Sequence, residues 1–550
     1  MATAPLSAHR WTVEDLTLEQ KIGQLIMVRY PDRDLLREML AQGWAGATYF
    51  GLKGQSAETV AETHNELQSV SLIPPLLAFG FACTDCGTSL IKGNHMRLGA
   101  TRDPRLAYRV ALLETLEQRA LGYHIPGLPV LDVNTNPANP IINTRALSDD
   151  PTVVTELGLA MLQGVMDGRG VTCTMHFPGH GDTADDSHIR VPVVNRSWQD
   201  LWEIDLAPYR AAFAAGLVNG VCTNHCHYPA LEPGEPIPAT ISPRLITGLL
   251  REQMGYDGFV MTDSLTMKPM KDRYGIEEAA ILSVLAGHDM ILQDYASEPC
   301  LTHEALLQAV HSGRLPLAQV DASVRRILQV KEWLGLFAQP LVDVAKVGER
   351  VASAEHQALG LEVARRAVTA VESAALPLRF SDPAKVVVLA NGRDVAYNED
   401  MDIRHQPAHQ RLLAALGERV PQAQMLALSE QFEAGELQQA RELMAGAEVI
   451  IAGLFTRVLC YNEDAIGLPG PYAALLQEAL AGTTPVILLN FGNPYVLGQL
   501  PPAAGALCTY DEDCEESVTA AVEALLGDWQ PTGKLPVRIS ARYPFGWGSS

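Results

Sequence analysis

Val171-Thr172-Cys173-Thr174-Met175-His176-Phe177-Pro178-Gly179-His180-Gly181-Asp182-Thr183-Ala184-Asp185-Asp186-Ser187-His188 is the stretch on which the architecture turns. Its apolar opening, Val171 to Met175, reads as a buried strand. From Met175 onward it packs three histidines and three aspartates among glycines and a proline. That composition excludes a helix interior or a central strand, because glycine is too free and proline lacks a donor. A buried strand that empties into a loop dense in titratable groups is how an α/β enzyme presents its chemistry.

Similar apolar runs flank this one. Gln24–Val28, Gly46–Phe50, Leu76–Phe81, Pro129–Val133, Thr172–His176, Gly220–Asn224, Gly258–Thr262 and Asp289–Leu292 each precede turn residues and then a helical pattern. About eight strands alternating with helices over roughly 300 residues predict a (β/α)8 TIM-type barrel, with an open doubly wound sheet as the alternative. Thr17-Leu18-Glu19-Gln20 is a capping box, and Ser242 with Pro243 marks a second helix start. The expected barrel covers residues 1–340. A linker at 341–380 carries one long helix over Glu355–Val371. Residues 381–550 resume with Lys385–Leu389, Met425–Leu428, Glu448–Leu454, Pro485–Asn490 and Ala506–Tyr510, which predict an open, mostly parallel α/β/α sandwich domain.

Composition narrows the function. The chain has 550 residues, 47% of them apolar and 19% charged, which suits two or more folded domains and not a disordered chain. A net charge of −23 disfavours nucleic acid and anionic membrane surfaces as partners. The N-terminal residues hold no apolar signal-peptide core, and no segment is apolar for long enough to span a bilayer. Nine scattered cysteines do not make a disulfide framework. A cytoplasmic location is expected. No phosphate-loop or dinucleotide fingerprint occurs in strand-to-helix context, and no cofactor is expected.

Barrel enzymes gather their chemistry at the C-terminal ends of the strands. The polar residues read there are Asp132, Asn134, His176, Asn224, His225, His227, Asp263 and Asp289. Asp263 follows the buried run Gly258–Thr262, where a carboxylate is costly without partners or a task. Capping the following segment is the alternative role.

The His176–Thr183 loop, followed by Asp186-Ser187-His188, resembles the signature of glycoside hydrolase family 3, in its bacterial two-domain β-N-acetylhexosaminidase branch. The resemblance continues in order through Leu98–Thr101, Asn143–Pro151, Asn224–Leu231, Gly255–Gly258, Thr262–Met267, Ala286–Met290, Phe491–Tyr495 and Gly533–Val537. It implies retaining hydrolysis by double displacement, without a metal. Asp263 matches the nucleophile that forms a glycosyl-enzyme. His188 and Asp186 match a histidine–aspartate pair that replaces the usual second carboxyl group as acid/base. A histidine titrates near neutrality, and a neighbouring aspartate orients the ring and favours its charged form. Arg145 matches an arginine that reaches a sugar hydroxyl or the acetamido region. His176 matches the histidine of a lysine–histidine pair on sugar hydroxyls. His225 matches a further family histidine, with a buried structural role as its alternative.

The chain departs from the family at two places. Met175 stands where the lysine of that pair is expected and donates no hydrogen bond. At the third strand, Gly80 and Ala82 stand where an aspartate and a glutamate are expected; Asp85 is the candidate replacement for sugar binding. Cys83-Thr84-Asp85-Cys86 is read as two packed thiols, with metal or redox chemistry as the alternatives. Three readings follow. The first is an exo-acting β-N-acetylglucosaminidase on small oligosaccharide or amino-sugar glycosides. The second is a β-glycosidase or glycoside phosphorylase of different sugar specificity. The third is a degenerate sugar-binding non-enzyme.

Overall fold

A computed structural model describes residues 10–29, 33–50, 55–79, 94–293, 298–392, 408–512 and 514–548. Its contacts divide into two compact units. The first comprises residues 1–89, 107–132 and 158–353; the second comprises 90–106, 133–157 and 354–550.

The first unit is built on seven strands: β1 Ile26–Arg29, β2 Ala47–Phe50, β3 Leu76–Phe79, β4 Thr174–Phe177, β5 Gly220–Thr223, β6 Phe259–Ser264 and β7 Met290–Gln293. They pair in the order β3-β2-β1-β7-β6-β5-β4, and every pairing is parallel. Helices occupy the intervals, the first of them, Leu18–Gln24, starting at the expected Thr17–Gln20 capping box.

The expected strand at Pro129–Val133 is a correction. Residues 124–131 lie between β3 and β4 and close the ring without forming a strand. His124 N–H donates to Leu77 O at 2.7 Å on one side, and Leu131 N–H donates to Met175 O at 2.8 Å on the other. Single parallel bridges join Ala78 with Ile125 and Val130 with Met175. Pro126 and Pro129 lack the N–H groups that a continuous ladder requires. The His124 ring supplies part of what is missing, its Nδ1 accepting from Leu77 N–H at 2.8 Å.

Strand alternation sets what faces the interior. Along β6, Phe259 and Met261 join the central apolar cluster, while Val260 joins the cluster formed with the surrounding helices. Asp263 continues the inward series at the C-terminal end. Asp289 is a second correction. It precedes β7 and therefore lies at the opposite rim, buried, accepting from Arg251 Nη2 at 2.8 Å, Arg326 Nη1 at 3.2 Å and Val260 N–H at 2.9 Å. Its partners make it a brace between strand and helices.

The second unit carries β8 Thr369–Glu372, β9 Val386–Asn391, β10 Gln424–Leu428, β11 Val449–Phe455, β12 Val486–Phe491 and β13 Gly505–Cys508, in the order β10-β9-β11-β12-β13-β8. All pairings are parallel except β13 with β8. On β9, Val387 and Leu389 enter one apolar cluster while Val386, Val388 and Ala390 enter another. Both faces are covered, which is why the strand reads as an unbroken apolar run. The helix expected to reach Val371 stops at Ala367, and β8 follows. The β-branched Val368, Thr369 and Val371 favour a pleated strand over a further helical turn.

Lys331, on the helix Leu317–Trp333, is fully buried, and its Nζ donates to Gln24 Oε1 at 2.6 Å. Burial pulls the ammonium down to about 7. The unfolded chain keeps that proton up to about 10.4, so between these values it binds more protons and stability rises with pH. Lys331→Met is expected to flatten that rise, which is worth a few kcal/mol. Melting temperatures between about pH 7 and about pH 9 measure it; a slope equal to that of the wild type would contradict the assignment.

Candidate active site

The loop after β4 is shaped by a buried carboxylate. Asp132 is fully buried and accepts three hydrogen bonds: from His176 Nδ1 at 2.7 Å, from His176 N–H at 3.2 Å and from His180 N–H at 2.7 Å. Burial alone would raise its carboxyl, but the imidazoles of His176 and His180 and these donors hold it below the usual aspartate range. Thr183 Oγ1 tightens the next turn, 2.9 Å from His180 Nδ1 and donating to His180 O at 3.2 Å.

Further along the loop, Asp186 is fully buried and His188 keeps 20% of its side chain exposed. Asp186 Oδ1 accepts from His188 N–H at 2.7 Å and from His188 Nδ1 at 2.8 Å. This is an Asx turn in which the side chain of residue i caps residue i+2, so a two-residue separation suffices for the pairing. The loop also touches the segment after β6, where Lys268 N–H donates to His188 O at 3.3 Å.

Asp263, half-buried at the end of β6, accepts from Ser264 N–H at 2.7 Å. Burial would raise its carboxyl. His225, His176 and His188, with the Ser264 donor, overcome that and hold it below the ordinary range. The first unit thus brings Asp263, His176, His188 and Asp186 into one electrostatically coupled group.

His225 has the buried structural setting that the sequence reading gave as its alternative. It is fully buried, its Nε2–H donates to Ser264 O at 2.8 Å, and its Nδ1 lies 2.7 Å from Thr240 Oγ1. Both ring nitrogens are engaged by protein, so it fixes the chain beside Asp263. Burial lowers its basicity against the pull of Asp263. Arg145 belongs to the second unit, on a short turn over Asn143–Arg145, with Nη1 donating to Ile141 O at 3.1 Å. Asp85, Gly80, Ala82, Cys83 and Cys86 lie outside the described residues. Met175 is buried in the central cluster with Cys173, Cys222 and Met261. Among the described residues no group of three or more His, Cys, Asp or Glu side chains is arranged to hold a metal ion, and no helix is long and apolar enough to cross a membrane.

Asp132 was legible only as one polar residue at a strand end; its tie to His176 spans 44 positions, which local sequence does not report. Arg196, Asp182 and Asp205 form a second group that the sequence did not mark. Arg196 lies 2.9 Å from Asp205 and 3.3 Å from Asp182.

Asp132→Asn should lower thermal stability by about 2–4 kcal/mol and activity by on the order of a hundredfold, because the His176–His180 turn loses its anionic acceptor. The carboxyl is held low, so its contribution is present above about pH 3.9 and fades as pH falls through the lowered folded value. The gap in melting temperature between wild type and variant should therefore close on acidification.

Two family models match the chain. The glycosyl hydrolase family 3 N terminal domain covers residues 17–330, and the C-terminal domain of the same family covers 371–544. A beta-hexosaminidase A from Pseudoalteromonas piscicida is 28% identical over 487 residues, 81% of this chain and 79% of the relative. A beta-N-acetylglucosaminidase/beta-glucosidase from Cellulomonas fimi is 26% identical over 96% of this chain and 93% of its own length. The solved structure of a glycoside hydrolase family 3 beta-N-acetylglucosaminidase from Paenibacillus sp. str. FPU-7 superposes with a TM-score of 0.83 at 29% identity, covering 96% of this chain and 99% of that one.

Proposed function

We propose that this chain, which belongs to glycosyl hydrolase family 3 and is a glycoside hydrolase, is a retaining, exo-acting β-N-acetylglucosaminidase. The observation that carries the reading is the convergence on Asp263 of an aspartate-paired histidine, His188, which retains solvent access. In the first displacement, a carboxylate oxygen of Asp263 attacks the anomeric carbon while the aglycone oxygen leaves with a proton from His188. Nδ1–H donates to Asp186, so the exchanged proton is carried on Nε2. In the second displacement, His188 takes a proton from water, which opens the glycosyl–Asp263 ester. Asp263 is ionised, as a nucleophile must be, because the imidazoles around it outweigh its burial.

His176 is assigned to the sugar, its ring oriented through Asp132. Terminal N-acetylglucosamine on cell-wall fragments or chitin oligosaccharides is the proposed substrate class. The likeness to a beta-hexosaminidase and to a beta-N-acetylglucosaminidase supports it. A cytoplasmic site of action is proposed because the seven described cysteines are all thiols, as in a reducing compartment.

Met175 favours a second reading. A methionine in place of a lysine removes a donor to sugar hydroxyls, and sites built on such donors discriminate strongly. A different terminal sugar, or phosphate in place of water, follows from that loss. A histidine acid/base tolerates an anionic acceptor better than a carboxylate does.

A panel of aryl β-glycosides, assayed with and without phosphate, separates these readings. The expected result is fastest release from the N-acetylglucosaminide, independent of phosphate. Asp263→Asn should reduce turnover by about 10³-fold or more and His188→Ala by roughly 10²-fold. A 5-fluoro glycosyl fluoride should label the wild-type chain once, at Asp263, in peptide mass mapping. Labelling at another residue would refute the nucleophile assignment.

A further inference from the structure

We propose that Arg196 is a positioning residue that staples the neck of the loop carrying Asp186 and His188, holding that pair in register with Asp263. The inference rests on the reading of His188 as the proton donor.

The loop leaves β4 and returns at Val193–Val194. Its entry is fixed by Asp132, which binds His176 and His180. Its exit is fixed by backbone: Val193 bridges His227, His227 N–H donates to Pro192 O at 2.8 Å, and Val194 N–H donates to His227 O at 2.9 Å. Arg196 lies just past this exit and reaches back to the entry side. Its guanidinium lies 3.3 Å from Asp182 Oδ1, six residues after His176, and its Nε lies 2.9 Å from Asp205 Oδ2. One cation therefore ties the two strands of the loop together across its neck, with Asp205 as the fixed anchor behind it.

The anchor is rigid. Asp205 is fully buried. Gly179, at φ +139°, lies so close that a Cβ there would fall 2.7 Å from Asp205 Cβ. Glycine is needed at 179 for both its backbone conformation and this approach. A buried carboxylate is costly, and apolar packing in its place is often more stable. The charge is explained by what it faces, the Arg196 cation, with which it forms a close ion pair that no apolar residue supplies. Local hydrogen bonds make the Asp186–His188 pair, but they do not set where it points. A shift of about 1 Å at the neck carries to the tip, and misplacement of that size costs rate steeply.

The test uses leaving groups. A phenyl β-glycoside needs a proton on its departing oxygen; a 2,4-dinitrophenyl β-glycoside does not. kcat/KM reports the first displacement for both. Arg196→Ala should lower kcat/KM at least about tenfold on the phenyl glycoside and less than about threefold on the dinitrophenyl glycoside. Arg196→Lys should recover part of the loss. The assay is run near pH 8, above the value of about 7 to which burial raises Asp205 in the presence of Arg196, Asp182 and Asp132. If Arg196→Ala does not fold, Asp182→Asn, which removes the outer carboxylate of the staple, should show the same selective loss. Equal losses on both substrates, or none on either, would overturn the proposal. His188→Ala is the control. If it lacks the leaving-group pattern, the proton-donor reading falls and takes the staple with it. If His188→Ala shows the pattern and Arg196→Ala does not, only the staple falls.

Discussion

The site depends on Asp132, a carboxylate with no solvent contact whose three accepted hydrogen bonds come from His176 near the end of β4 and His180 in the loop that follows. A buried anion must be satisfied or it neutralises. Here the chain satisfies it by turning the backbone at His176 and His180 inward. The turn at 176–180 is thus dictated by electrostatics at the strand end. The tight Thr183 contact, the close approach of Gly179 to Asp205 and the reach of Arg196 to Asp182 all follow from where that turn sends the chain.

The same economy appears at β6. Ser264 is used twice: its N–H donates to Asp263 and its carbonyl accepts from His225. One residue therefore links a buried ring, through two consecutive peptide units, to a carboxylate that still meets solvent. His225 bears on Asp263 through the chain, because its bond to the Ser264 carbonyl fixes the residue whose N–H meets the Asp263 carboxylate. On the opposite rim, Asp289 is clamped between Arg251 and Arg326. Charges at the two ends of the strands differ in their partners: the lower set braces helices against strands, and the upper set gathers Asp132, Asp186 and Asp263 with His176, His188 and His225.

Much of this was legible in the residues. Seven of the eight barrel runs are strands because apolar β-branched stretches bounded by turn residues have few other solutions. The Asp186–His188 pairing was legible because it is local, an Asx turn spanning two residues. The Pro129–Val133 run misled because apolar patterning records burial, and that segment is buried; two missing N–H groups decided against a ladder. Asp289 misled because a polar residue beside a strand does not announce which end it occupies. His225 and Asp132 could not be resolved, since their partners at Thr240, Ser264 and His176 are set by tertiary register.

Position 175 links these observations to chemistry. The side chain there is a methionine, packed into the sulfur-rich interior with Cys173, whose Sγ lies 4.0 Å from Met261 Sδ. A lysine at that position would bring a permanent cation to the strand that carries His176. In this chain the groups that draw the Asp263 carboxyl down are imidazoles, those of His225, His176 and His188, and no ammonium is among them. Imidazoles titrate within the physiological range, whereas an ammonium in solution does not. The same His188 that is proposed to give up a proton also supports the carboxylate electrostatically until it does so. In the proposed first displacement, transfer of that proton would weaken the support for the Asp263 anion as it attacks, which would tie nucleophilic attack to proton donation through the field between positions 188 and 263.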